Sequence, residues 1–496
     1  MRKTFVLLPL AVAMLAAGCS FAPTYERPEA PVAQSWPQSE ATRNVQVLTE
    51  GLQQWGDFFT DERLCKLIET GLSNNRSLRA AVLSVEQARA QYNVSRSQLL
   101  PSVSAVAQKT ARGAFDNDAL NHSSSMSNGY TANAMASYEL DLFGRVRNTN
   151  EMALQTYFQT EAAQRTAQMT VITEIANTWL GLGAAKDLLT LANNTLESQK
   201  KSHRLIKGSY ELGASSLIDV QQAETTVANA RIAQAQAMRQ VAQYRNALTL
   251  LVGGPFDASL EPETLSMDVT KPISAISNVP SEVLLNRPDI ASAEAALKSA
   301  NANIGVARAA FFPSISLTSS AGFTSAHLSD LFKSGSAVWS FAPSVSLPIF
   351  QGGRNIQNLK AAEAAKKAAV AQYEATIQTA FKEVADALAT EGTIQDQLMA
   401  TQALADSTRK TYKLAMERYN SGVDSFLQVL DSQRSDFSAQ QSLVNARLSR
   451  VASLVTLYKV MGGGSQLPQA EAGVAQTEGE AQDASQAEVV KTSAAQ

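Results

Sequence analysis

The chain carries one pattern of elements twice, and that duplication limits its fold more than any other feature. Asn75-Arg76 opens a helical pattern that runs to Leu100-Pro101 and gives way to a Ser/Val/Ala alternation. About 210 residues later, Asn286-Arg287 opens a matching pattern that runs to Phe312-Pro313 and an Ile/Ser/Leu alternation. Tyr210-Glu211-Leu212-Gly213 is echoed by Tyr419-Asn420-Ser421-Gly422, and Val252-Gly253-Gly254 by Met461-Gly462-Gly463. Such a period argues for one body made of two similar halves. Each half orders itself as helix, strands, long helices, tight turn, helix and glycine stop. Strands beside very long helices, with no catalytic constellation among them, suggest a conduit.

Four segments alternate with a period of two. Trp339, Phe341, Val345, Leu347 and Ile349 oppose Ser340, Ala342, Ser344 and Ser346. Tyr130, Ala132, Ala134, Ala136, Tyr138, Leu140 and Leu142 oppose Thr131, Asn133, Met135, Ser137, Glu139 and Asp141. Ile315 and Leu317 alternate with serines and Thr318, and Val103 and Ala105 with Ser102 and Ser104. A half-exposed soluble sheet gives this alternation, and so does the wall of a membrane barrel. Four strands are too few to close a barrel, which takes about eight. Either the sheet is soluble, or several copies each contribute strands. Pro343 and Pro348 remove ladder donors and predict a bend near the end of the last strand.

No proline occurs between Pro101 and Pro255, or between Pro348 and Pro468. Val146 to Ser209 is helix-forming throughout, and ~64 continuous residues at 1.5 Å rise reach roughly 96 Å. Leu359, Ala362, Ala369, Tyr373, Ile377, Phe381, Val384 and Leu388 advance in threes, fours and sevens, a packed stripe. Gly213 and Gly422 fit left-handed turn positions. Ser215, Ser216, Asp424 and Ser425 are available to cap the helix that follows each turn. A soluble helical bundle would show the same stripe.

Arg2-Lys3, an apolar run from Phe5 to Ala17 and Leu15-Ala16-Ala17-Gly18-Cys19 form a targeting segment too short to span a bilayer. The Gly-Cys ending resembles the lipobox of bacterial lipoproteins, which implies cleavage before Cys19 and covalent lipid on it; an ordinary secretory signal is the alternative. Cys65, the other cysteine, sits in an amphipathic setting and is expected as a small buried hydrophobe. Removing Arg2 and Lys3 from 42 basic residues leaves 40 against 45 acidic, so nucleic acid is not indicated as a partner. His122, His203 and His327 are the only histidines, and none has metal-ligand spacing. No phosphate-cradling loop or nucleophile elbow occurs, so no enzyme and no cofactor are expected. With no long apolar helix, only strands in a closed barrel would allow the mature chain to span a membrane.

Tyr138-Glu-Leu-Asp-Leu-Phe-Gly-Arg145, Arg287-Pro-Asp-Ile290, Ala307-Arg-Ala-Ala-Phe-Phe-Pro-Ser-Ile-Ser-Leu317, Pro348-Ile-Phe350, Ala380-Phe-Lys-Glu-Val-Ala-Asp386 and Leu430-Asp-Ser-Gln-Arg434 cover nearly the whole mature chain. Together they resemble the TolC-like outer-membrane efflux factors, in particular their OprM-like lipoprotein branch. The resemblance implies a homotrimer with a twelve-stranded outer-membrane β-barrel continuous with a twelve-helix periplasmic α-barrel. It implies a passive exit duct for drugs or other small molecules, fed by a periplasmic adaptor and a proton-driven inner-membrane pump. A structural coiled-coil lipoprotein or adhesin is the other class that fits helices and anchor, and it leaves the strands without a purpose.

On this reading 1–18 is the signal peptide, 19–65 an extended equatorial segment and 66–254 the first half, with strands at about 102–112 and 129–143. Residues 255–285 link to the second half at 286–464, with strands at about 313–323 and 337–350, and 465–496, without apolar period, are expected to be a disordered tail. The resemblance maps a periplasmic gate onto Leu427 and Asp431, with Arg434 one turn beyond. It puts polar links near Tyr419 and Asp219, although Asp424 stands where the family's companion arginine is expected. It assigns adaptor docking to the tips Leu212-Gly213-Ala214 and Ser421-Gly422-Val423.

Overall fold

A computed structural model describes residues 20–33, 36, 54–113, 126–271, 284–285 and 287–463. Cys19, the signal segment, most of the linker after Lys271 and the C-terminal tail lie outside those residues. The chain runs α1 (Trp55–Phe58), α2 (Glu62–Asn74), α3 (Arg76–Ser97), β1 (Ser102–Gly113), β2 (Met126–Leu140), α4 (Arg145–Glu211) and α5 (Leu217–Val252). It continues with α6 (Pro288–Ala309), β3 (Ser314–Ser325), β4 (Ala337–Ser346), α7 (Arg354–Asn420) and α8 (Phe426–Val460). The order helix, two strands, two long helices thus recurs: α3 and α6 have 22 residues each, α4 and α7 have 67 each, and α5 and α8 have 36 and 35. Helix α2 crosses residue 65, where the first half was expected to begin. The chain divides into two compact units, each built from three stretches.

One unit draws on 1–29, 84–161 and 292–374 and holds the sheet. Its strands lie in the order β1-β2-β3-β4, every neighbour antiparallel. The register places the apolar sets of all four strands in common rows: Ala105↔Ala134, Ala134↔Ala321 and Ala321↔Trp339 form one, and Tyr138↔Leu317↔Pro343 another. Because side chains alternate along a strand, these rows share one face. The other face collects serines, and the Ser316–Ser344 and Ser320–Ser340 hydroxyl pairs bridge β3 to β4 at 2.8 Å. Pro343 does not bend β4 as expected. It pairs in register with Leu317 on an edge strand, where its missing donor is tolerated. β4 instead ends at Ser346, before Pro348, and Gly352 and Gly353 turn the chain into α7 with positive φ.

The segment after Cys19 is strapped into the same unit. Phe21 stacks on Phe312 at 4.4 Å, and Phe312 on Phe143 at 5.0 Å. The Ser20 hydroxyl donates to Asn148 at 3.1 Å, and Asn301 and Arg308 on α6 donate to the carbonyls of Pro23 and Phe21. Further along, Arg27 makes a two-pronged bond to Glu294, which also takes Lys298 and the Tyr25 hydroxyl.

The other unit draws on 30–83, 162–291 and 375–496. Its core surrounds Trp179, whose indole donates to the Leu260 carbonyl at 2.9 Å, with Leu64, Leu67, Ile68, Ile172, Ile175, Leu248 and Tyr458. Phe58 stacks on Tyr458 at 4.3 Å, and residues 58–60 bond to 269–271 through their backbones. Asn75 divides α2 from α3: its side chain accepts from the Leu78 amide and donates to the Leu251 carbonyl. Gly253 closes α5 at φ 87°, and a Cβ there would collide with the Asn74 carbonyl. Cys65 is half-buried rather than buried: its thiol points at the Phe59 carbonyl, and burial raises its pKa. The stripe on α7, a helix that contributes to both units, is inward as expected: Ala362 and Tyr373 are buried in the first unit and Ile377, Val384 and Leu388 in the second, the others partly so. Among the described residues no helix is long and apolar enough to cross a membrane.

Candidate gate and helix tips

The two returns are built alike. Gly213 and Gly422 have φ of 76° and 73°, and each amide bonds back to Tyr210 or Tyr419 at 2.9 Å. The next amides, of Ala214 and Val423, reach Ser209 and Arg418 at 2.8 and 2.9 Å, the bonding of a Schellman motif. The space beside both glycines is open, so a side chain there meets only backbone strain. Leu212 and Val423 are 87% and 62% exposed at these tips. Ile206, Val220 and Ala223 of the first hairpin pack with Ala415, Phe426 and Val429 of the second, so the tips are held against each other by an apolar plug.

The entries to α5 and α8 are capped differently. Ser216 caps α5 in a capping box with Asp219, whose carboxylate also accepts from the Ser215 hydroxyl. Those bonds, led by the one from Ser216, hold the Asp219 carboxyl below its usual range. Ser425 precedes α8 without a side-chain cap bond. Asp424, expected as a capping candidate, instead takes a two-pronged bond from Arg418 at 2.7 and 2.8 Å, which lowers its pKa. Arg418 was not singled out from the sequence. Its position six residues before Asp424, across a glycine return, is the signal that marks it.

Tyr419 lies partly in the apolar plug, its ring 5.4 Å from that of Phe426. Burial, and then the Asp219 carboxylate, raise its phenol pKa. Tyr419 and Asp219 are therefore neighbours, but the bonds of the Asp219 carboxylate in the structure go to Ser215 and Ser216.

Leu427, Asp431 and Arg434 stand at spacings of four and three on α8, so they share one helix face. Leu427 is 63% exposed, and Arg434 bonds Asp431 at 2.6 Å with both side chains largely in solvent. All three line a groove of about 460 Å³ between α8 and the first hairpin, together with Gln199, Gln433 and Phe437. This arrangement offers an apolar and a charged step on one surface and no nucleophile–base pair. Among the described residues no cluster of His, Cys, Asp or Glu is fit to hold a metal ion.

Residues 67–254 and 279–463 match the sequence profile of the family described as outer membrane efflux protein. The chain belongs to that family. Each matched stretch contains one run of helix, two strands and a long hairpin. TtgC of Pseudomonas putida, a probable efflux pump outer membrane protein, is 44% identical over 462 residues, covering 92% of this chain and 95% of its own. OprJ of Pseudomonas aeruginosa, an outer membrane protein, is 43% identical over 466 residues, covering 94% and 97%. Among solved structures, the MtrE outer membrane channel of Neisseria gonorrhoeae in its open state superposes with a TM-score of 0.80 at 37% identity, covering 90% of this chain and 99% of that one. This outer membrane efflux protein is thus helix-rich with a small sheet, as its structural relatives are.

Proposed function

We propose that the chain is the passive exit duct of a three-part efflux system. In this reading three copies each give four strands to one twelve-stranded barrel, and their long helices form a periplasmic tunnel. A periplasmic adaptor docks on the tips Leu212-Gly213-Ala214 and Ser421-Gly422-Val423, and a proton-driven inner-membrane pump supplies the work. The observation that carries the reading is the sheet: its apolar rows share one face, Trp339 and Phe341 are exposed on it, and among the described residues β1 and β4 each keep an unpaired edge. Open edges cannot face lipid, because nothing there satisfies their backbone groups. Closure with neighbouring copies satisfies them.

Cys19 carries the lipid anchor in this proposal. The tethering of Ser20 and Phe21 beside Phe143 and Phe312, where β2 ends and β3 begins, supports it, because lipid on Cys19 then starts at the foot of the sheet. The gate is a ring of Leu427 and a ring of Asp431, the first narrowing and dewetting the path and the second drawing cations. Relatives are named for antibiotic efflux (ArpC) and toluene efflux (TtgC), both of Pseudomonas putida, and we assign drugs and apolar solvents as the cargo on that basis. Purified full-length protein should migrate as a heat-resistant trimer and conduct ions in a planar bilayer. Monomers without conductance would remove the duct and favour a coiled-coil lipoprotein.

A further inference from the structure

Residues 326–336, between β3 and β4, are tightly bonded, yet they hold two large apolar side chains in the open. The Ser336 hydroxyl shares its proton between the Leu331 and Lys333 carbonyls, and the Ser336 carbonyl takes the Thr324 amide at 2.9 Å. Leu331 is buried, whereas Leu328 and Phe332 are 64% and 71% exposed. Phe332 meets Phe323 in a T-shaped contact, ring centres 5.3 Å apart. Phe323 lies in register with Ala132 and Ala337 on the sheet's apolar face, so that face continues into the loop. One row further out, Lys109, Tyr130 and Ser325 are in register, and the Lys109 ammonium stands 5.6 Å from the centre of the Tyr130 ring. Among the described residues Lys109 has no acidic partner, while Lys333 is neutralised by Asp330 at 2.6 Å. Tyr130 and Tyr138 bracket β2, about 27 Å apart along the strand and about 21 Å upright at a tilt of roughly 40°. An outer-membrane barrel carries an apolar band about 25 Å tall with aromatic residues at both borders. The Tyr130 row therefore marks the border at the loop end, and Lys109 sits at headgroup depth.

We propose that this end of the sheet seats the phosphorylated glycolipid of the outer leaflet. A phosphate pairs with Lys109, and acyl chains lie against Phe323, Phe332 and Leu328. A lipid of this kind joins an anionic sugar head to several chains, so it satisfies the cation and the apolar loop together. The loop is then an anchor that fixes the rim of the barrel in the outer leaflet. This proposal rests on the barrel reading above, because only there does this face meet lipid.

The test is native mass spectrometry of the intact, detergent-solubilised full chain titrated with lipid A. Trimers should retain lipid A saturably, about one per copy, and should retain phosphate-free lipid A or phosphatidylglycerol less. Lys109→Gln should weaken retention roughly tenfold, the loss of one charge-assisted contact. Leu328→Ser with Phe332→Ser should weaken it at least as much, and heat-resistant trimer should persist because both side chains are exposed. Ser340→Ala, on the opposite face, should change nothing. Unchanged retention in the lysine variant or in the loop variant overturns the site. Equal retention of phosphatidylglycerol or of phosphate-free lipid A overturns the choice of a phosphorylated glycolipid. Failure of the barrel reading shows separately, as monomers without conductance before any lipid is added. Trimers that conduct but retain no lipid A overturn this site alone.

Discussion

Glu261 shows how much one buried carboxylate holds in this protein. Arg245 grips it with two bonds at 2.6 and 2.8 Å, Lys186 adds a third partner, and its side chain is only 7% exposed. The bond from Arg245, with Lys186 adding to it against the opposing effect of burial, lowers its pKa from 4.5 to about 2. A depressed carboxylate stabilises the fold above its unfolded pKa and loses that contribution as pH falls through the folded one. That contribution is present at neutral pH and fades between about pH 4.5 and pH 2. Glu261→Gln should therefore lower the melting temperature clearly at about pH 7 and much less at about pH 3. An equal drop at both, followed by circular dichroism, would contradict this role. At the proposed gate, Leu427→Ala with Asp431→Ala should raise conductance or sensitivity to large antibiotics at normal expression. At the tips, Gly213 and Gly422 have open space beside them, so Gly213→Trp should leave the fold within about 1–2 kcal/mol of wild type. On the proposal that the adaptor docks at this tip it should nonetheless block efflux in resistance assays; normal efflux with a stable protein would remove the docking role.

At the scale of elements, the sheet divides cleanly into two faces, and substitutions should follow that division. Trp339 lies in the row midway between those of Tyr130 and Tyr138, while Ser340 is on the opposite face. Trp339→Lys should cost about 2–4 kcal/mol per copy if that row lies near the bilayer centre, and should reduce heat-resistant trimer in outer-membrane extracts. Ser340→Lys should assemble and shift ion selectivity instead. Similar trimer yields from the two would argue that the faces are not lipid and lumen. The faces were legible in the sequence because a period of two is local: Trp339, Phe341 and Val345 announce themselves within seven residues. Helix breaks at Asn75 and returns at Gly213 and Gly422 were legible for the same reason. The pairing of β2 with β3 was not, since Tyr138 and Leu317 are joined across two long helices and no local signal sets that register. Nor were the long-range Arg287 contacts, in which one guanidinium, besides its neighbour Asp289, reaches Glu383 and the Val460 carbonyl from two distant stretches. The Arg418–Asp424 clasp lay within reach, yet capping propensity pointed Asp424 at the wrong partner.

For the whole molecule, everything depends on whether copies complete each other's sheet. Within one chain β1 and β4 are separated by two intervening strands, roughly 14 Å at ~4.8 Å per step, and a disulfide needs Cα atoms within about 7 Å. A cysteine on each edge therefore cannot close within its own sheet and links only to another copy. The most direct measurement is oxidation of outer-membrane preparations carrying Cys65→Ser with paired cysteines, one between residues 103 and 107 of β1 and one between 340 and 345 of β4. Shared closure predicts covalent trimers for the pairs in register and no higher ladder. Monomers alone from every pair, in protein that is inserted and correctly folded, would contradict it.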